Sequence, residues 1–421
     1  MSRRVRSPAV LAAALAALLA APAVGGAATV ECGQVLTQDT VVENDLRCEG
    51  TGLLAGADGI VVDLAGHRIV HVEPEDCLGC FSTSGVDTNG FADVRVRNGE
   101  VRRFTCGVQL RGATSTASGL VLQRNDTGVC VEGRGHRITA TSILGGFQGI
   151  SGFGQRDTTI DGVTTERTSS AVAIFDDLAA GGGVTITGND LAGGVAVQPA
   201  TRTRITDNVI HDARFDTGIF VFGGDDTTRI ARNRITDVGN GIQTQNSGVG
   251  GVRVVANRIV GADFAGVLGT FFGFDDPYGD GGGDVFRRNV VLDAQTGFRL
   301  EGVEGAVLRR NVVGRPGRGN GAGIVVGFGA SDVRLLRNLI RGNDGDGVRV
   351  VPQTADVFLR RNVASGNGGD GFDVRSVSAV VRRNRADDNG RWGIIGIDGV
   401  GGSDNVATGN GVGQCTPASL C

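Results

Sequence analysis

One position recurs along almost the whole chain. A glycine followed by an apolar residue stands at Gly85, Gly107, Gly128, Gly149, Gly194, Gly218, Gly241, Gly266, Gly297, Gly323, Gly347, Gly371 and Gly393, with Ala171 in the remaining slot. The intervals are 22, 21, 21, 22, 23, 24, 23, 25, 31, 26, 24, 24 and 22 residues. The next residue is apolar every time, from Val86 through Ile219 and Phe298 to Ile394. Asparagine forms a second column at Asn189, Asn208, Asn233, Asn257, Asn289, Asn311, Asn338, Asn362, Asn384 and Asn405, and Thr141 and Val163 fill the slot earlier on.

Alternation with period two means strands with one buried face. Several short strands separated by Gly and Asn within about 23 residues form one turn of a coil. Stacked turns pair each strand with its equivalent about 4.8 Å away. Val and Ile then stack inside. Asn suits a bend, because it tolerates left-handed geometry and its amide can bond the next Asn. Glycine suits the tightest corner, where a Cβ would clash or φ is positive. The pattern predicts an all-β chain forming a single parallel β-helix solenoid of about 14–16 coils with capped ends. A β-sandwich gives no reason for either column.

Residues 1–28 read as a signal peptide. Arg3, Arg4 and Arg6 precede an apolar run from Ala9 to Ala23, with small residues and cleavage expected after Ala23 or Ala28. The run is too short for a comfortable membrane span, and no later stretch is apolar enough for one. The chain is therefore expected in the periplasm, the cell envelope or the medium. Residues 29–57 are expected to form an N-terminal cap with the first strands, 58–401 the β-helix and 402–421 a C-terminal cap.

All eight cysteines follow the leader, and an even number in an exported chain reads as disulfides. Cys32–Cys48 and Cys415–Cys421 are local pairs at the two ends. Cys77, Cys80, Cys106 and Cys130 stay open in pairing. All 41 basic residues are Arg and the only Met is Met1, so catalytic Lys and Met-lined metal sites are excluded. A net charge of −4 gives no ground for a nucleic-acid or anionic-membrane partner. The repeated arginines Arg287, Arg309, Arg360 and Arg382 could be read as an anion-binding ridge; since neighbouring repeats also supply Asp and Glu, they are read as solvated ladders on an outer face.

The stretch Glu31-Cys32-Gly33-Gln34 through Asp58-Gly59-Ile60-Val61-Val62-Asp63-Leu64-Ala65-Gly66-His67-Arg68-Ile69 resembles the start of exported right-handed parallel β-helix repeat proteins. The later Arg-Asn-Val repeats resemble the same broad group, which includes NosD-like periplasmic proteins and, more remotely, pectin-acting enzymes and alginate epimerases. The resemblance covers nearly all of residues 30–414. It implies right-handedness and a scaffold; it transfers no chemistry.

Two and four residues after each column position, side chains should point outward. In the middle coils these are Ala173 and Phe175, Ala196 and Gln198, Phe220 and Phe222, Gln243 and Gln245, Leu268 and Thr270, and Arg299 and Glu301. Aromatic faces and amides suit a sugar chain. Carboxylates follow this strand at Asp176, Asp177, Asp225, Asp226, Asp275, Asp276, Asp280 and Asp284. The 31-residue interval holds an insertion at 271–283, with Phe271, Phe272, Phe274 and the lone tyrosine Tyr278, expected to overhang the stripe. Candidate catalytic residues are Asp225, Asp226 and Arg299, for a polysaccharide lyase, glycosidase or epimerase. Asp216 and Asp263 are further acidic candidates in the same coils. Candidate substrate-binding residues are Phe220, Phe222, Gln243, Gln245, Tyr278 and Glu301. Asp275, Asp276 and Asp280 are candidate calcium ligands. The Gly224-Asp225-Asp226 element resembles the paired-Asp element of polygalacturonases, whose Gly-His-Gly and Arg-Ile-Lys elements are missing. Phe274-Asp275-Asp276-Pro277-Tyr278 resembles the Asp-Pro-His-Glu element of alginate epimerases, with Tyr278 and Gly279 in place of His and Glu.

Three functions stay open: binding or processing of an extracellular or cell-envelope polysaccharide, a non-catalytic surface solenoid, and a NosD-like accessory role in metal-enzyme assembly. The last would use His67 and His71, expected to face outward on either side of Ile69.

Overall fold

The computed structural model describes residues 26–72, 83–175, 182–245, 251–271 and 283–421. Cys77, Cys80, Asp176, Asp177, Phe272, Phe274, Asp275, Asp276, Pro277, Tyr278 and Asp280 lie outside these residues, as do 1–25 of the expected leader. Strand Gly26–Ala28 pairs with Thr40–Val42, so cleavage after Ala23 leaves it whole and cleavage after Ala28 removes it.

Every strand pairing among the described residues is parallel and joins equivalent strands of stacked turns. Each turn visits three sheets. Sheet A holds Arg229–Ala231, Arg253–Val255, Val285–Arg287, Val307–Arg309, Arg334–Leu336 and Phe358–Arg360. Long strands such as Arg234–Gln245, Arg258–Thr270 and Val290–Glu301 supply sheet B with their first residues and sheet C with their last. Among the described residues no helix is long and apolar enough to cross a membrane.

The apolar column lies inside. Val172, Val195, Ile219, Ile242, Val267, Phe298, Ile324 and Val348 are at most 1% exposed. Each such side chain contributes about 1.5–3 kcal/mol by leaving water. Phe286 meets Phe298 edge-on, with centroids 6.0 Å apart.

The glycine column is explained by close approach alone. A Cβ on Gly241 would sit 2.2 Å from the Gly266 carbonyl oxygen, and one on Gly297 2.5 Å from that of Gly323. None of the column glycines has positive φ. Ala171 is the exception, and the register to the next turn shifts beside it, between Ser170 and Val172. Left-handed geometry falls one residue before each Asn, not on it: Asp207, Arg232, Ala256, Arg288, Arg310, Arg337, Arg361, Arg383 and Asp404 have φ of 55–61°.

The Asn side chains make a continuous ladder inside the A–B corner. Asn311 Nδ2 donates to Asn338 Oδ1 at 3.0 Å and to the Phe286 carbonyl at 2.9 Å. Asn311 Oδ1 accepts from the backbone N–H and Nδ2 of Asn289. The same four bonds recur along the column. A second ladder, Asn320–Asn343–Asn367–Asn389–Asn410, continues to Gln414 at the next corner. The sequence reading missed it, although Asn follows Asn by five residues from Asn338 onward.

Disulfides join Cys32 to Cys48, Cys106 to Cys130 and Cys415 to Cys421. At the C-terminal end Asn405 Nδ2 donates to the Leu420 carbonyl, which closes the first ladder.

His136 is wholly buried, and its Nε2 donates to the Glu132 carbonyl at 2.8 Å. Burial holds its pKa below the ordinary 6.5, outweighing the backbone hydrogen bond to Glu132. The unfolded chain therefore takes up this proton more readily than the folded one. The resulting stability is complete above pH 6.5 and lost as pH falls through the folded value. Between about pH 7 and pH 5 the melting temperature should fall more steeply for the wild type than for His136→Val. Parallel curves would clear His136 of responsibility.

Candidate functional site

The outward stripe of sheet C is continuous in register. Ala173 pairs with Ala196, Ala196 with Phe220, Phe220 with Gln243, Gln243 with Leu268 and Leu268 with Arg299. The neighbouring stripe runs Phe222, Gln245, Thr270, Glu301. Phe153 and Phe175 stack in register further back and are 75% and 40% exposed. Phe220, Phe222, Gln243 and Gln245 are half-buried.

A cleft of about 420 Å³ opens on this face. Gln243, Leu268, Thr270, Arg299 and Glu301 form its floor, and Asn240, Phe264, Gln295 and Thr296 its side. Phe264 is 59% exposed. The Thr270 hydroxyl is buried and has no hydrogen-bond partner among the described residues. Arg299 donates from Nε to Glu301 Oε1 at 2.8 Å, with Nη2 at 2.6 Å. The two charges cancel inside the cleft.

Asp225 and Asp226 are not brought to this cleft. Their turn follows strand Val209–Phe222, three coils from Arg299, or about 14 Å along the axis. Asp225 Oδ1 accepts from the Arg202 and Thr227 amides and from the Thr227 and Thr228 hydroxyls. Burial pushes its carboxyl up, but these hydrogen bonds together hold it below the usual value. It is a turn acceptor, ionised at neutral pH, and the wrong state for a general acid. Asp226 is exposed beside it. Asp284 does not line the edge either: it is buried, accepting from the Thr244 hydroxyl at 2.6 Å and the Val252 amide at 2.7 Å. Asp216 bonds the Thr217 amide at its own turn, and Asp263 is exposed.

His71 faces inward. It is 6% exposed and packs on Phe104 with centroids 5.3 Å apart. Residues 69 and 71 share strand parity, so a buried Ile69 carries His71 in with it. His67 bonds Asp45 at the surface. The expected outward histidine pair is not formed.

Three carboxylates that the sequence reading missed do converge. Asp346, Asp370 and Asp373 bring ligand atoms within 4.8 Å of one another, which could hold a metal ion. Burial pushes the Asp373 carboxyl up. Arg349, Arg375 and Arg391 bond this group and supply balancing charge. Its sequence signal is Asp one residue before the column glycine at Gly347 and Gly371.

No curated protein matches the chain. Among solved structures, a periplasmic alginate epimerase AlgG is 14% identical with a TM-score of 0.41, covering 83% of this chain and 73% of that one. The Azotobacter vinelandii mannuronan C-5 epimerase AlgE4 A-module is 16% identical with a TM-score of 0.44, over 77% and 87%. PfbA, a surface adhesin of Streptococcus pneumoniae, is 12% identical with a TM-score of 0.37, over 77% and 84%. The family model described as right handed beta helix region matches residues 84–270 and 278–416. Matched over most of its length and built of stacked parallel turns, the chain belongs to the right-handed beta helix family.

Proposed function

We propose that the protein is an exported glycan-binding β-helix whose sheet C cleft takes an uncharged stretch of a cell-envelope or extracellular polysaccharide. The observation that carries this reading is the cleft itself. An exposed aromatic ring and carboxamides converge there around a self-neutralised Arg299–Glu301 pair, above the Thr270 hydroxyl, which is buried and has no partner among the described residues. Such a lining offers ring-face contact and hydrogen bonds to hydroxyls. Binding is favoured over cleavage because Asp225 is tied into its turn and Arg299 is held by Glu301.

The test is titration of residues 26–421 with neutral and uronic-acid polysaccharides, while reducing ends and unsaturated products are followed. Phe264→Ala should weaken binding of a neutral chain about tenfold, the scale of one stacked aromatic contact. Thr270→Val should weaken it less. Turnover abolished by Asp225→Asn would replace this reading with an enzymatic one, and indifference to every glycan would leave a structural solenoid.

A further inference from the structure

The arginines at the A–B corner are not neutralised by their neighbours. Two stripes run side by side along the axis. On sheet A, Arg287 pairs in register with Arg309, then come Leu336 and Arg360. In the left-handed turn beside them stand Arg288, Arg310, Arg337 and Arg361. None of these seven side chains makes an ion pair or hydrogen bond with a described residue. Carboxylates close the run at both ends: Asp207 holds Arg232, and Asp404 holds Arg382 and Arg383.

Seven unpaired charges thus fall within about 14 Å of axis, since three coil steps of about 4.8 Å separate the first from the last. Screening in physiological salt acts over about 8 Å, so neighbouring guanidinium groups repel. Arg288, then burial, then Arg309 and Arg310, hold the Arg287 pKa below its usual value. Arg287 and Arg360 keep a buried Nε with no partner among the described residues. Half-buried aliphatic residues flank the stripes: Val285 and Val307 on one side, Val290, Val312 and Val363 on the other.

We infer that this ridge is a docking surface for a linear acidic polysaccharide lying along the solenoid axis. It is separate from the sheet C cleft and does not depend on the reading given for it. Guanidinium forks match planar carboxylates, and the flanking aliphatic stripes offer dry contact to sugar rings. Duplex nucleic acid fits poorly, because each strand advances about 3.4 Å per phosphate and winds around its axis, whereas the ridge is a straight series at coil spacing.

The probe is polygalacturonate, titrated into the full chain at rising salt beside uncharged dextran, inorganic polyphosphate and a single-stranded oligonucleotide. Polygalacturonate should bind best, with affinity falling as salt rises. The triple variant Arg288→Asn, Arg310→Asn, Arg337→Asn should bind at least tenfold more weakly, with a shallower salt slope. Asn tolerates the left-handed turn and removes repulsion, so the melting temperature of the triple variant should hold or rise. Arg232→Asn, which breaks an already paired arginine, should leave affinity within about twofold, as should Phe264→Ala in the cleft. No binding of polygalacturonate by the wild type at low salt would overturn the proposal. So would tighter binding of polyphosphate or the oligonucleotide, dextran binding that the triple variant weakens as much as it weakens polygalacturonate binding, or a folded triple variant that binds polygalacturonate as well as the wild type.

Discussion

Replacing Asn311 with alanine should lower stability by about 3–5 kcal/mol, although the side chain touches no ligand and lies in no cleft. The loss follows from what it leaves behind. The backbone N–H and Nδ2 of Asn289 lose their acceptor, and the Phe286 carbonyl and Asn338 Oδ1 lose a donor. Asn311 is 1% exposed, and the replacement supplies no polar atom to stand in. Unmet buried groups cost about 1–3 kcal/mol each, and some relaxation is expected. Contacts in a solenoid run between neighbouring turns, so the damage should be local first. Hydrogen exchange should accelerate in turns 286–340 before either end. A loss under about 1 kcal/mol would show that the ladder decorates the corner without holding it.

A single methyl group should do comparable harm in the glycine column. Gly241→Ala would place Cβ 2.2 Å from the Gly266 carbonyl oxygen and 2.5 Å from Ile259 Cγ2. Backbone on one side and a packed core on the other leave little room to move, and a loss of about 3 kcal/mol is expected. Gly154→Ala is the control. Its φ is +64° and nothing lies within 4 Å, so only the left-handed penalty of about 1–2 kcal/mol applies. Chemical denaturation of both variants separates the causes: equal losses would mean that strain in φ, not collision, dominates at both sites.

The two columns were legible because their causes repeat. A Cβ collides in turn after turn, and an amide ladder needs a partner at each rung, so both leave a period in the chain. Their detailed roles were less legible. Glycine serves by close approach, and the left-handed residue is the one before Asn, often Arg or Asp. His71 was misplaced by strand parity alone. The acidic turns show a harder limit. Asp225 closing a turn and a carboxylate poised for catalysis leave the same letters; only the four donors around Asp225 tell them apart. The sheet C stripe was readable to the rung, because outward positions follow from the glycine register, whereas the cleft depends on Phe264 and Gln295 from the adjoining bend. The arginine ridge was visible as letters, but its acidic partners were assigned by nearness in sequence. In three dimensions the carboxylates stand at the two ends of the run, and net charge conceals that segregation.

The ladder has a further consequence for how such a chain can change over generations. Each rung gives to the next what it receives from the one before, so the bond across any junction is the same bond. Cutting out one complete period, or copying one, rejoins Asn to Asn and glycine carbonyl to glycine. Length is therefore a quantity that heredity can adjust in whole units. The number of arginines along the ridge, and with it the stretch of polymer a molecule could hold, would be set by the count of such units.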